Sequence, residues 1–176
     1  EAVVEEATFA ALADPQHPLG GPAAFYEVVA TVVEAHLDEE TGRVFVDKVT
    51  HAGDLGRVVN PGRASRVDEG GLVQGLSLAL SEKLTYEGSG LRNGSSLDYR
   101  IATAGDAPAE MRDSFLENGD GAGPLGLKGL GEGGILAVGP ALCGALLELT
   151  GHLFTEIPIT PEAVWRARRS TAEEGR

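Results

Sequence analysis

Apolar and β-branched residues crowd the segment FYEVVATVVEAHL (25–37), where they occupy both alternating faces. The polar turn DEETG follows, and RVFVDKVTHAGD (43–54) then returns with a similar composition. Two such runs joined by a short glycine-containing loop predict a β-hairpin over residues 25–54, with Gly42 at a positive φ. The apolar character of both faces indicates a first strand that is covered on both sides.

The hydrophobic period changes to three and four residues in DEGGLVQGLSLALSEKL (68–84). The apolar positions at this spacing are Leu72, Val73, Leu76, Leu80 and Leu84. This periodicity predicts an amphipathic helix over residues 68–84. Gly75 inside it costs up to about 1 kcal/mol relative to alanine, so we expect a close packing contact at that position.

Two further helices are predicted towards the end of the chain. The first spans residues 135–151 and ends at Gly151, with Pro140 either kinking it or marking its first turn. The second begins at the capping pair Thr160 and Pro161.

Turn-forming residues dominate the rest of the chain. Residues 1–23 are predicted to be irregular, and so is 86–108 apart from one short strand near 97–101. A short strand is also expected over residues 152–159, and residues 168–176 are expected to form a tail. A hairpin, short strands and two or three helices predict an α+β fold, with the whole chain forming one domain.

Charge and cysteine content exclude several classes of function. The net charge of −13 argues against nucleic acid, because no basic stripe can neutralise phosphates. Cys143 is the only cysteine, so no internal disulfide, thiolate zinc site or iron–sulfur cluster is expected within the chain. The four histidines are far apart in sequence and are interpreted as surface or packing residues. No membrane span or leader is evident, which favours a cytoplasmic protein.

Six glycines and one proline fall within GPLGLKGLGEGG (123–134), together with Lys128 and a single carboxylate, Glu132. GLGEGG (129–134) fits the G-x-G-x-x-G dinucleotide motif, but that motif needs a buried strand directly upstream, which residues 117–128 cannot supply. Two interpretations stay open from the residues alone. Glu132 interacts favourably with the dipole of the following helix, by about 0.3–1 kcal/mol. Alternatively it is a general base beside a backbone that lacks Cβ atoms and lets a bulky cofactor approach.

Five segments resemble the molybdenum hydroxylases, the xanthine dehydrogenase and aldehyde oxidase family, and they follow the family's order. They are HAGDLGRVVNP (51–61), EGGLVQGLSLALSEKLTYEGSG (69–90), LDYRIATAGDAP (97–108), GPLGLKGLGEGGILAVGPAL (123–142) and GHLFTEIPITPEAVWRA (151–167). The resemblance implies that the chain is the C-terminal molybdopterin-binding part of a catalytic subunit.

The resemblance also implies roles for particular residues. Glu132 is implied as the general base of a reaction that inserts a water-derived oxygen at an electron-poor carbon of an N-heteroaromatic ring or an aldehyde. Four residues are expected to place their backbone against the molybdopterin: Lys128, Gly129, Leu130 and Gly131. Val67 stands where the family commonly has a glutamine beside the cofactor, and Ala102 replaces a proline. No protein ligand to the metal is expected.

The expected cofactor is the molybdenum cofactor in its molybdopterin cytosine dinucleotide form, with FAD and [2Fe-2S] clusters in partner chains or modules. The resemblance implies an enzyme that is active only with the rest of the molybdenum subunit and with iron–sulfur and flavin subunits. Glu1 opens the chain and Met111 is its only methionine, so we expect a processed or excerpted piece. The alternative is a non-catalytic structural or assembly subunit, which Val67 would suit and the intact K-G-x-G-E argues against.

Overall fold

The computed structural model describes residues 26–174, with side chains described for residues 26–170. The strands and helices, in chain order, are β1 (Val29–Leu37), β2 (Val44–Gly56), α1 (Pro61–Leu80), β3 (Tyr86–Glu87), β4 (Gly90–Leu91), β5 (Glu110–Glu117), α2 (Gly133–Thr150) and α3 (Pro161–Glu174). β1, β2 and β5 form a sheet in that order, and β3 pairs with β4. A mixed sheet with three helices confirms the α+β prediction. The irregular segment predicted over residues 1–23 lies outside the described residues.

The predicted hairpin is confirmed. β1 and β2 pair antiparallel, and Gly42 in their connecting loop has a φ of 72°. A Cβ at Gly42 would overlap the carbonyl oxygen of Pro161, so the hairpin loop packs directly on the start of α3. Coverage of β1 on both faces is wrong for the described part of the chain, because Val32 is exposed while its neighbour Val33 is buried. Such alternation is typical of a strand that is covered on one side.

β5 is the main element that the sequence did not predict. It pairs parallel with β2, from Lys48 opposite Glu110 to Gly56 opposite Glu117. Its sequence, EMRDSFLE, alternates exposed with partly buried positions and contains no continuous apolar run. Parallel pairing brings the carboxyl ends of β2 and β5 to the same edge of the sheet.

Both short strands predicted in the second half of the chain are wrong. Near 97–101 the Ser95 carbonyl accepts a hydrogen bond from Tyr99 N–H at 2.9 Å, which closes a turn. In the segment 152–159, Ile159 N–H donates a hydrogen bond of 2.7 Å to the carbonyl of Ala79, near the end of α1. These backbone groups find partners without forming a ladder.

α1 is confirmed as a helix but begins earlier than predicted. Asn60 caps it, with Oδ1 accepting a hydrogen bond from Arg63 N–H at 3.0 Å, and Pro61 takes the first helical position. The helix ends at Leu80, so Leu84 lies outside it.

The close contact expected at Gly75 is confirmed, because a Cβ there would overlap Val138 of α2. α2 ends at Gly151, whose φ is 72°, as predicted. Pro140 lies inside α2 and does not mark its first turn. Thr160 caps α3, with Oγ1 accepting from Ala163 N–H at 3.2 Å. α3 continues through most of the segment that was expected to be a tail.

The core lies between the sheet, α1 and α2. Its fully buried apolar side chains are Val49, Leu72, Val138, Leu142, Leu146, Ile159 and Val164. Of the described helices, α2 is long and apolar enough to cross a membrane by length and composition alone, which the sequence analysis did not expect. Packing against α1 and the sheet buries one face of α2, while Leu136 and Leu147 on the same helix are exposed in this chain.

Candidate functional site

The glycine-rich segment between β5 and α2 folds back on itself. Gly121 N–H donates to the Gly126 carbonyl at 3.1 Å, and Gly123 N–H donates to the Leu127 carbonyl at 3.0 Å. A Cβ at Gly121 or Gly126 would overlap backbone atoms of the same loop. Part of the glycine content therefore serves close contact within the loop and not contact with a ligand.

Lys128 fixes this loop to the end of β2. Its N–H donates to the Leu55 carbonyl at 3.0 Å. Its ammonium group bonds Asp54 Oδ2 at 2.7 Å and Asp120 Oδ1 at 2.8 Å, and its side chain is only 5% exposed. The side chain of Lys128 is thus a structural tether, and its N–H is already used within the fold.

The tether shifts the pKa of both partners. The hydrogen bond from Lys128, with further ones from Gly56 N–H and Asn118, holds the pKa of Asp54 below its usual value despite desolvation. Burial works against the Lys128 ammonium, but its hydrogen bonds to Asp120 and Asp54 leave its pKa above the usual value. Both groups are therefore charged at neutral pH.

Glu132 occupies the N-cap position of α2, and its side chain makes no capping hydrogen bond. It is exposed on the surface of this chain, as are Gly129 and Leu130 beside it. Gly131 has a φ of 141°, a conformation that L side chains rarely adopt. A Cβ at Gly131 would lie 3.9 Å from Val67 Cγ1, so the loop meets α1 at this point.

The structure thus brings the predicted site residues together along one loop and the facing turn of α1. Lys128 differs from the others, because its side chain turns inward while the remaining residues border an open face. The described residues do not shield Glu132 from water. A cavity of about 630 Å³ elsewhere, bordered by Arg43, Arg100 and Asp106, does not include this face.

Sequence reasoning missed a group of buried polar side chains behind the loop. His51 and Asp68 are 1% and 2% exposed, and His51 Nε2 lies 3.5 Å from Asp68 Oδ2. Thr31 Oγ1 bonds His51 Nδ1 at 2.7 Å. The sequence analysis interpreted His51 only as a surface or packing residue, because its carboxylate partner lies on a different element.

Burial raises the pKa of two carboxyl groups in this region. Burial, with the nearby carboxylates of Asp68, Asp54 and Glu132, raises the pKa of Glu27 against the opposing charge of Lys128. Burial also raises the pKa of Asp68, which His51 opposes. Oε1 of Glu27 and Oδ2 of Asp68 have no hydrogen-bond partner within the part of the chain that the structure describes.

Comparison with known proteins identifies the class. Residues 1–108 match a family model described as the molybdopterin cofactor-binding domain. The chain belongs to this family, which confirms the resemblance seen in the sequence. The match ends before the glycine-rich loop, so it does not include Glu132.

Individual relatives agree with this assignment. The chain is 37% identical over 145 residues to the nicotine 6-hydroxylase large subunit of Paenarthrobacter nicotinovorans, covering 80% of this chain and 17% of that protein. It is 28% identical over 137 residues to a putative xanthine dehydrogenase molybdenum-binding subunit of Escherichia coli, covering 77% and 18%. The aldehyde oxidoreductase of Desulfovibrio desulfuricans superposes with a TM-score of 0.75 at 28% identity, over 84% of this chain and 16% of that one. The chain therefore spans less than a fifth of the length of these relatives.

Proposed function

We propose that this chain contributes the general base to a molybdenum hydroxylase or dehydrogenase. The reaction inserts a water-derived oxygen at an electron-poor carbon of an N-heteroaromatic ring or an aldehyde. The names of the relatives support these substrate classes, since one hydroxylates nicotine, which contains a pyridine ring, and another is an aldehyde oxidoreductase.

The carboxylate of Glu132 carries the proposal. A general base must have a lone pair that no other donor occupies, and it must stand on a rigid support. Glu132 has no capping hydrogen bond and sits at the N-cap, directly before the first residue of an 18-residue helix. It can therefore accept a proton at its carboxylate oxygens from a group placed against the open face of the loop.

The residues around Glu132 fit a molybdopterin cofactor. Gly129 and Gly131 present backbone without Cβ atoms, and Lys128 holds the loop from the opposite side. These groups, with Leu130 and Val67, would contact the cofactor, for which we propose the cytosine dinucleotide form. Two-electron redox chemistry and activation of water come from the molybdenum cofactor when it is bound. The part played by this chain is to position it and to hold a proton at Glu132.

The exposed leucines indicate where the rest of the molybdenum subunit would contact this chain. Leu97, Leu125 and Leu136 are 95%, 69% and 68% exposed. The chain spans only 17% of the length of the nicotine 6-hydroxylase large subunit, so the rest of such a subunit can cover these side chains. We propose that the rest of the molybdenum subunit covers these leucines and shields Glu132 from water.

We also propose that iron–sulfur and flavin subunits receive the electrons of the reaction. The assembly is proposed to be cytoplasmic.

Replacing Glu132 by glutamine tests the assignment. In the complete assembly, Glu132→Gln is expected to retain molybdenum and fold but to lose about 10²- to 10⁴-fold in kcat, because the amide cannot accept the proton. Glu148→Gln, at an exposed position of the same helix, is the matched control and should turn over at the parental rate. A Glu132→Gln assembly with parental turnover would refute the catalytic role and favour a structural subunit.

A further inference from the structure

The two glycines directly after Glu132 contact carboxyl groups from other elements. A Cβ at Gly133 would overlap Oε1 of Glu27, and one at Gly134 would lie 2.9 Å from Oδ1 of Asp68. Gly133 and Gly134 form the first turn of α2. Because these two positions have no side chains, both carboxyl groups reach the backbone at the start of the helix.

Both carboxyl groups also contact residues of β2. The Glu27 carboxyl also lies over Gly53 of β2, where a Cβ would be 3.7 Å from Oε1. Asp68 faces His51, which is bonded in turn to Thr31 of β1. The start of α2 is thus seated on the hairpin through Glu27 and on α1 through Asp68.

The N-terminus of a helix attracts carboxylates, so an unrestrained glutamate at the N-cap tends to fold over its own helix end. Glu132 makes no such bond. The space beside the first turn is instead filled by Glu27 and Asp68. When the Glu27 carboxyl is ionised, its charge also repels the Glu132 carboxylate.

We propose that Glu27 and Asp68 are positioning residues that seat the first turn of α2 and keep the Glu132 carboxylate turned towards the open face. The inference rests on the proposed role of Glu132. It adds that the direction of this side chain is set by the half-buried Glu27 carboxyl and the buried Asp68 carboxyl, which do not themselves touch the substrate.

A double-mutant cycle between Glu27 and Gly133 tests the contact in the complete assembly. Gly133→Ala introduces a methyl group that overlaps Glu27, so kcat should fall at least about tenfold while KM changes less than about twofold. Glu27→Ala removes the closest overlap and leaves the 2.9 Å approach to Val29 Cγ1, so kcat of the Glu27→Ala/Gly133→Ala variant should recover in part and exceed that of Gly133→Ala alone. Gly144→Ala, on the same helix and with no atom within 4 Å of its Cβ position, should match the parent.

Hydrogen exchange provides a readout that does not depend on turnover. Glu27→Ala alone should accelerate exchange at residues 133–136 at least about fivefold and leave α3 unchanged, because only the start of α2 loses its seat. This measurement decides the question even if Gly133→Ala fails to assemble.

Either of two results would overturn the inference: parental kcat in Gly133→Ala, or unchanged exchange at 133–136 in Glu27→Ala. The Glu132→Gln variant separates this from the proposed function. If that variant is active, the catalytic role fails whatever the exchange data show. If it is inactive and Gly133→Ala is not impaired, only the positioning role fails.

Discussion

Removing the Lys128 ammonium should loosen the glycine-rich loop without disturbing the core. In Lys128→Met the apolar stem is largely retained, while the bonds to Asp54 and Asp120 are lost. A charge-assisted hydrogen bond between nearly buried groups contributes about 1.5–3 kcal/mol. The contact with Asp120, which is 60% exposed, adds about 0.2–1 kcal/mol. We therefore expect a local cost of about 2–4 kcal/mol.

Hydrogen exchange over residues 118–132 measures this cost directly. A loss of about 2–4 kcal/mol corresponds to exchange that is roughly 30- to 900-fold faster in that segment. Lys48→Met is the matched control, because Lys48 makes a 2.7 Å ion pair with the well-exposed Glu34 of β1 and lies six residues before Asp54 in β2. It should leave exchange in 118–132 unchanged. Exchange within about threefold of the parent in Lys128→Met would refute the tether.

The stabilisation from the Lys128–Asp54 ion pair is expected to depend on pH. The pKa of Asp54 is lowered in the fold, so its stabilisation is complete above the unfolded pKa, near 3.9, and is lost as the pH falls through the folded value. The pKa of Lys128 is raised, so its stabilisation is complete below about 10.4 and is lost as the pH rises through the folded value. The difference between parent and Lys128→Met should stay constant from about pH 4 to pH 10 and shrink outside that range.

Two further predictions concern stability. Gly75→Ala should lower the free energy of unfolding by about 1–3 kcal/mol in thermal denaturation, because its Cβ would meet Val138 and the Ile135 carbonyl. Gly70→Ala, whose Cβ has open space, is the control and should raise the free energy of unfolding by up to about 1 kcal/mol. Equal effects of the two substitutions would contradict the packing account. Glu27→Gln should raise the melting temperature at neutral pH, because a carboxyl with a raised pKa stabilises the fold only when protonated, and this gain should disappear as the pH is lowered through that pKa. A gain that persists in acid would show that charge is not its cause.

Elements with a local signal were predictable from the sequence. The hairpin follows from two β-branched runs around Gly42, and the end of α2 follows from Gly151. The beginning of α1 also had a local signal, Asn60 before Pro61, although the periodicity alone placed the helix start later. In each case the deciding interactions are made by residues close in the chain.

Non-local interactions were not predictable in this way. β5 depends on parallel pairing with β2, more than fifty residues away in the chain, and its own sequence gives only a weak alternation. The approach of Glu27, Asp68 and Gly133 joins three separate elements. The position of Glu132 at the start of a helix could be predicted, but the groups that surround it could not.

The parallel pairing of β5 has a consequence for how this fold can diversify. The loop that carries Glu132 leaves the sheet where β2 and β5 end together, while residues 82–109 form a separate excursion between α1 and β5. Its short β3 and β4 pair with each other and add no strand to the main sheet. The length and surface of that excursion can therefore vary while the loop that carries Glu132 keeps its place.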